Sequence, residues 1–193
     1  MLQRHPQNYY PYFGLGICYK SLGRYEAAAR CFLLAKQRNP AGPFLDFQIA
    51  SCYEYSGISH LRYGRFAQAT ENFLKGIRAK PQYWRTYHWI GRICLYQGRY
   101  AQAVDWLKKA RDCNPLRWDP HKDLGLCYLK LGLKDLARVE LEETLRLNPS
   151  NNSAHYNLGL LYAETGFWKR AGKEFHLAVT MGASAEAFKP RTE

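Results

Sequence analysis

Residues 125–149 read GLCYLKLGLKDLARVELEETLRLNP, and 34 positions earlier residues 91–115 read GRICLYQGRYAQAVDWLKKARDCNP. Both stretches open on a glycine, repeat it seven residues later, place an alanine five residues beyond and close on Asn-Pro. The same interval brings in Gly159, Gly166 and Ala171 on one side and, with one phase slip, Gly16, Gly23, Ala28 and Pro40 at the other end. Self-similarity at a fixed period of this size means that one supersecondary unit is stacked several times, each unit covering an apolar face its neighbour cannot bury alone.

The residue types say what the unit is. Glycine or alanine lets two helices approach closely, aromatic side chains fill the space between successive pairs, and proline ends the second helix because it cannot continue one. In the first unit these roles fall to Tyr12, Leu15, Gly16, Tyr19, Ala28, Phe32, Ala35 and Pro40. The spacing resembles the tetratricopeptide repeat, W-x₂-L-G-x₂-Y, then A-x₃-F, then P. Later units depart mildly: His121 and His155 fill the tryptophan slot, Cys94 the tyrosine slot, Leu107 and Leu141 the phenylalanine slot, and Ala183 stands where the last proline belongs. The resemblance implies an all-α fold, a right-handed superhelical solenoid of antiparallel helix pairs. Its five-repeat domain runs over 9–185, with units at 9–42, 43–83, 84–117, 118–151 and 152–185.

The second unit is seven residues too long, since Gly16 and Gly57 lie 41 apart. Ile49, Ala50 and Tyr53 already occupy the Leu, Gly and Tyr slots, which puts the extra residues after Tyr53. Glu54 to Tyr63 is then either two more turns of the first helix or an enlarged turn before the second. Residues 1–8 read as the remnant of a preceding repeat or an N-terminal extension, because Pro6 lies 34 residues before Pro40. Residues 186–193 read as a tail too short for a full capping helix. Uncapped ends of this kind are expected to continue into further repeats or to self-associate.

The chain of 193 residues is 47% hydrophobic and 23% charged, ordinary for a protein that buries a core. No window approaches the apolar length that a membrane span needs. The six cysteines form no C-x-x-C pair, which argues for reduced, mostly buried thiols and favours a reducing, cytoplasmic compartment. The net charge of +12 is unevenly spread: residues 1–117 carry 18 Lys and Arg against 6 Asp and Glu, whereas 118–193 carry 10 of each.

Nothing in the sequence has the pattern of an active site. Phosphate-loop, HExxH and nucleophile-elbow motifs are absent, the histidines are scattered, and no cofactor is implied. What remains is a surface. The resemblance implies that the first helix of each pair lines a concave groove through its positions 2, 5, 9, 12 and 13. The inward set contains Phe13 and Lys20 in the first unit, Phe44, Phe47, Ser51, Glu54 and Tyr55 in the second, Arg85, His88, Arg92 and Tyr96 in the third, Lys122 and Lys130 in the fourth, and Tyr156 in the fifth.

Of these, Phe13, Phe47, Arg85, His88, Arg92, Tyr96, Lys122, Lys130 and Tyr156 are the expected partner-binding residues. Aromatics supply contact area at low entropic cost and guanidinium groups take carboxylates bidentately. The reading is a non-catalytic interaction scaffold or adaptor that binds a protein or peptide segment, acidic by charge, in the assembly of a multiprotein complex. The carboxylate clamp of related co-chaperones does not transfer in its usual place, because Phe13 and Ile17 stand where its lysine and asparagine belong, and a shifted version built from Lys122 and Arg92 stays open. The alternative is a nucleic-acid-binding helical repeat that uses the basic first three fifths.

Overall fold

In a computed structural model, residues 8–42 and 44–182 are described, and they form ten α-helices in sequence. These are α1 (Tyr10–Ser21), α2 (Tyr25–Arg38), α3 (Leu45–Arg62), α4 (Phe66–Ala79), α5 (Trp84–Tyr96), α6 (Tyr100–Cys113), α7 (Trp118–Lys130), α8 (Lys134–Leu147), α9 (Asn152–Glu164) and α10 (Trp168–Thr180). No strand occurs among the described residues. The expected N-terminal remnant at 1–8, except Asn8, and the whole tail at 186–193 lie outside the described residues, as does Ala183.

The helices alternate with two kinds of connection. Within a pair, the turn carries a glycine in the left-handed region, as at Gly132 with φ of 73° and Gly64 with φ of 68°, where a side chain would be strained. Between pairs the chain passes through Asn-Pro or Lys-Pro, which stops the second helix. Phe44, just before α3, is a non-glycine residue with φ of 68°, and its ring is 75% exposed.

The chain divides into two compact units, 1–93 and 94–193, with the boundary inside α5. Each unit is held by the same contact. In the first, a Cβ placed on Gly16 would stand 2.7 Å from the Phe32 ring, and one on Gly57 would stand 2.5 Å from the Phe73 ring. In the second, a Cβ on Gly125 would meet Leu141 at 2.7 Å and one on Gly159 would meet Phe175 at 2.6 Å. Each of these distances is shorter than a carbon–carbon contact allows, so the pair closes only because the position has no side chain. Around these points Phe32, Ala28, Ala35, Leu45, Ile49 and Cys52 form one buried cluster, and Leu141, Ala154 and Leu158 another.

The long unit takes the first of the two alternatives the sequence left open, two more turns of the first helix, but with the added residues at a different place. Helix α3 runs unbroken to Arg62, so the seven residues lengthen the helix and no enlarged turn precedes α4. The glycine that receives Phe73 is Gly57, in step with Gly16 and Phe32, so the extra residues enter before Gly57 and not after Tyr53. Ile49 and Leu45 instead pack on the Phe32 cluster of α2. Seven residues are nearly two turns, with a drift of about 20°, so Ala50 and Gly57 share a helix face.

All six cysteines are free thiols; Cys31, Cys52, Cys94 and Cys127 are buried and Cys18 is exposed. Burial pushes the Cys52 thiol up to about 11 and the Cys127 thiol up to about 12, which leaves both unreactive.

Replacing Gly125 by leucine forces a branched side chain against Leu141 and is expected to destabilise the protein by about 1–3 kcal/mol. Thermal unfolding of Gly125→Leu against the parent chain checks it; an unchanged midpoint would contradict the close approach of α7 and α8.

Candidate functional site

The first unit contains a depression of about 470 Å³ lined by Lys20, Phe47, Ser51, Tyr55, Lys80, Tyr83, Trp84 and Arg85. Three elements build it. Helix α3 contributes Phe47, Ser51 and Tyr55, four residues apart, which places them on one stripe. The end of α1 contributes Lys20, and the α4–α5 connection with the first turn of α5 contributes Lys80, Tyr83, Trp84 and Arg85.

Each cation is stationed by a partner. Lys20 Nζ donates to Gln48 Oε1 and to Ser51 Oγ, both at 2.9 Å, and lies 5.9 Å from the centre of the Tyr55 ring. Lys80 Nζ sits 5.8 Å from the Phe47 ring, and the Arg85 guanidinium lies 5.8 Å from that of Trp84. The rings support one another: Phe47 and Tyr83 meet edge to face at 5.6 Å, and Tyr55 stacks on Tyr25 at 5.2 Å.

Behind this surface lies a buried carboxylate. Glu54 is 3% exposed and accepts hydrogen bonds from the Tyr83 hydroxyl and, at 3.2 Å, from Trp89 Nε1. Arg85 Nη1 stands 3.7 Å from the same carboxylate. A buried charge persists only when paired and hydrogen-bonded, and here two donors and a guanidinium meet that demand. Burial first, and then the adjacent Glu54 carboxylate, pushes the Tyr83 hydroxyl far above its ordinary range, so it remains a donor. Glu54 therefore fixes Tyr83 and Arg85 in place and does not itself face the depression.

The expected binding residues fall into several environments. Phe47 and Arg85 share the depression. Phe13 is half-buried and meets the Phe32 ring edge to face at 5.6 Å, part of the packing of α1 on α2. His88 is buried, with its ring 5.7 Å from that of Trp84. Arg92 is exposed and lies over the Trp89 ring at 4.8 Å, and Tyr96 is largely exposed. In the second unit, Lys122 pairs with Asp123 at 3.0 Å, Lys130 is exposed, and Tyr156 is half-buried with its ring 5.9 Å from that of Phe175.

The position rule reached Lys20, Ser51 and Tyr55. It missed Lys80, Tyr83 and Trp84, which sit in and beside a connection where no inward helix position exists. The signal that was available is the run KPQYWR at 80–85, two cations and two aromatics around a helix-ending proline.

Family models described as tetratricopeptide repeat match residues 9–41, 56–117 and 122–186. The chain belongs to the tetratricopeptide repeat family. No curated protein matches it by sequence. Among solved structures, this tetratricopeptide chain resembles MamA at 22% identity and a TM-score of 0.65, covering 86% of this chain and 94% of that one. It also resembles YrrB, a tetratricopeptide repeat protein with an unusual peptide-binding site, at 18% identity, a TM-score of 0.67 and coverage of 96% and 92%. PilF of Pseudomonas aeruginosa aligns at 21% identity with a TM-score of 0.68, covering 93% of this chain and 78% of PilF. At these identities the likeness is one of fold, and the family is one of protein-interaction scaffolds. Among the described residues no helix is long and apolar enough to cross a membrane.

Beside Lys122, the tryptophan slot of the fourth repeat carries an ionic lock. The buried His121 ring faces two acceptors, with Nδ1 2.6 Å from Glu140 Oε2 and Nε2 3.1 Å from the Pro115 carbonyl, while Arg111 Nη1 donates to Glu140 Oε1 at 2.9 Å. His155 repeats the placement 34 residues on, against Glu174 at 2.7 Å and the Pro149 carbonyl at 3.0 Å. Burial works against a charged His121 ring, but the bonds to Glu140 and Pro115, with the charges of Glu140 and Glu143, outweigh it and hold the ring's pKa above its ordinary value. A group whose folded pKa is raised contributes stability that is complete below the unfolded value of about 6.5 and is lost as pH rises through the folded value.

Thermal midpoints are therefore expected to fall as pH is raised from about 6 toward 8, and His121→Gln is expected to flatten that fall. Melting curves of both proteins across this range check it, and identical slopes would remove His121 from the account.

Proposed function

We propose that this tetratricopeptide array is a non-catalytic adaptor that binds an extended acidic segment of a protein partner, and that the binding centres on the depression of its first unit. The observation that carries this reading is the convergence of Lys20, Lys80 and Arg85 with Phe47, Tyr55, Tyr83 and Trp84 around one concavity of the α1–α3–α5 side. A surface that offers flat apolar contact and several fixed cations favours a ligand with carboxylates spaced along an extended backbone. That YrrB carries a peptide-binding site on a similar fold supports the class of ligand.

Arg92, close along α5, is proposed as a further contact, and Lys122, Lys130 and Tyr156 are proposed as contacts of the second unit taken by itself. Phe13 and His88 act through packing. In the cell such an adaptor brings proteins together in a multiprotein complex. The basic composition of residues 1–117 supports the nucleic-acid alternative, which differs in having no preferred face.

The test is fluorescence anisotropy of the full chain with labelled peptides of alternating Glu and Ala and with a single-stranded oligonucleotide. Arg85→Glu is expected to weaken the acidic peptide by about tenfold or more, and Arg24→Glu, outside the depression, by less than about twofold. Equal losses from both reversals, with affinity for the oligonucleotide falling steeply with salt, would favour the polyanion reading instead.

A further inference from the structure

The stripe Phe47, Ser51, Tyr55 has a shape as well as a charge. Phe47 and Tyr55 stand one helical turn before and after Ser51, about 12 Å apart along α3 by Cα rise, and all three line the depression, which is thus a slot with a ring toward each end and Ser51 between them. Its middle is charged. Lys20 Nζ is bonded to Ser51 Oγ and Gln48 Oε1, and an ammonium has three donors, so one N–H remains to point toward a ligand. Lys80 and Arg85 stand at the sides, each within 6 Å of a ring that lines the same depression. Three cations against the single carboxylate of Glu54 leave a local charge of +2.

Resting on the adaptor reading above, we infer that this slot is built for the side chain of a phosphorylated tyrosine in the partner segment. A ligand that uses both features lays a flat ring against Phe47 or Tyr55 and carries an anion to Lys20. An aspartate or phosphoserine has no ring to lay against Phe47 or Tyr55, and a glutamate brings one negative charge where the site supplies two positive ones. An aryl phosphate supplies the ring and a charge of about −1.5 to −2 with three acceptor oxygens, which matches the local charge and the separate donors of Lys20, Lys80 and Arg85. Glu54, by holding Arg85 and Tyr83, acts as a positioning residue for this anion and does not touch it.

The experiment compares four labelled peptides that differ only at the central residue, phosphotyrosine, tyrosine, phosphoserine or glutamate, on the full chain and on Lys80→Gln and Tyr55→Ala, with melting curves confirming that both variants fold. The phosphotyrosine peptide is expected to bind about tenfold tighter than the other three. Lys80→Gln is expected to lower its affinity several-fold, and Tyr55→Ala to erase its advantage over phosphoserine, weakening the phosphotyrosine peptide more than the glutamate peptide. Equal binding of phosphotyrosine and phosphoserine would overturn the aromatic slot. Equal binding of phosphotyrosine and glutamate peptides, both sensitive to Arg85→Glu, would overturn this inference and leave the acidic-segment adaptor standing. Binding of none of the four by a folded chain would bring down both.

Discussion

A glycine pressed against a ring or a leucine is the contact on which the rest of the structure rests. At Gly16, Gly57, Gly125 and Gly159 the opposing side chain already occupies the space a Cβ would take. That closeness fixes the height and rotation of the first helix of each pair on the second. It also turns the remaining faces outward in a regular order, so the Phe47–Ser51–Tyr55 stripe of α3 shares a depression with Lys20 of α1 and with Lys80 and Arg85 around the start of α5. Backbone turns at the left-handed glycines and the prolines between pairs serve the same constraint, since a continued helix could not fold back onto its partner.

Much of this was legible in the chain itself. The 34-residue period, the pairing of small residues with Phe32, Leu141 and their equivalents, and the helix-ending prolines are local signals that tertiary context does not override. The phase slip in the second unit was visible, but its location was not. Ala50 and Gly57 are both small and both on one face of α3, so either fits the close approach by residue type, and only the position of Phe73 decides between them. The site was half legible for a related reason. Phe47, Ser51, Tyr55 and Arg85 follow from helix position, whereas Glu54 occupies an inward position yet is buried because Tyr83, at the end of its own unit, and Trp89, from the next repeat, bring donors to it. A single helix cannot announce the donors its neighbour will supply.

The two units handle charge differently, in keeping with their composition. At the depression of the first unit the carboxylate Glu54 is hidden and the cations Lys20, Lys80 and Arg85 line the surface, each with a stationed geometry. The second uses two of its acidic residues in internal pairs: Glu140 locks His121 and Arg111, and Glu174 locks His155. Those pairs stand where the family pattern has a tryptophan, so a large ring is replaced by a smaller one that gains hydrogen bonds in exchange for apolar area.

The length of α3 carries a consequence for how such an array changes over time. An insertion of three or four residues in that helix would turn every side chain beyond it by tens of degrees and strip Gly57 from its ring, whereas seven return the face almost to where it was. Growth within a helix of this array is thus stepped, and the heptad is a permitted step that needs no compensating loop. The added turns set Phe47 and Ser51 on a stretch of α3 that the pair-forming contact with α4 does not use. A recognition surface can arise in this way from an increment that keeps the glycine-to-ring contact of the pair in register while its buried face, Leu45 and Ile49, packs on the preceding repeat.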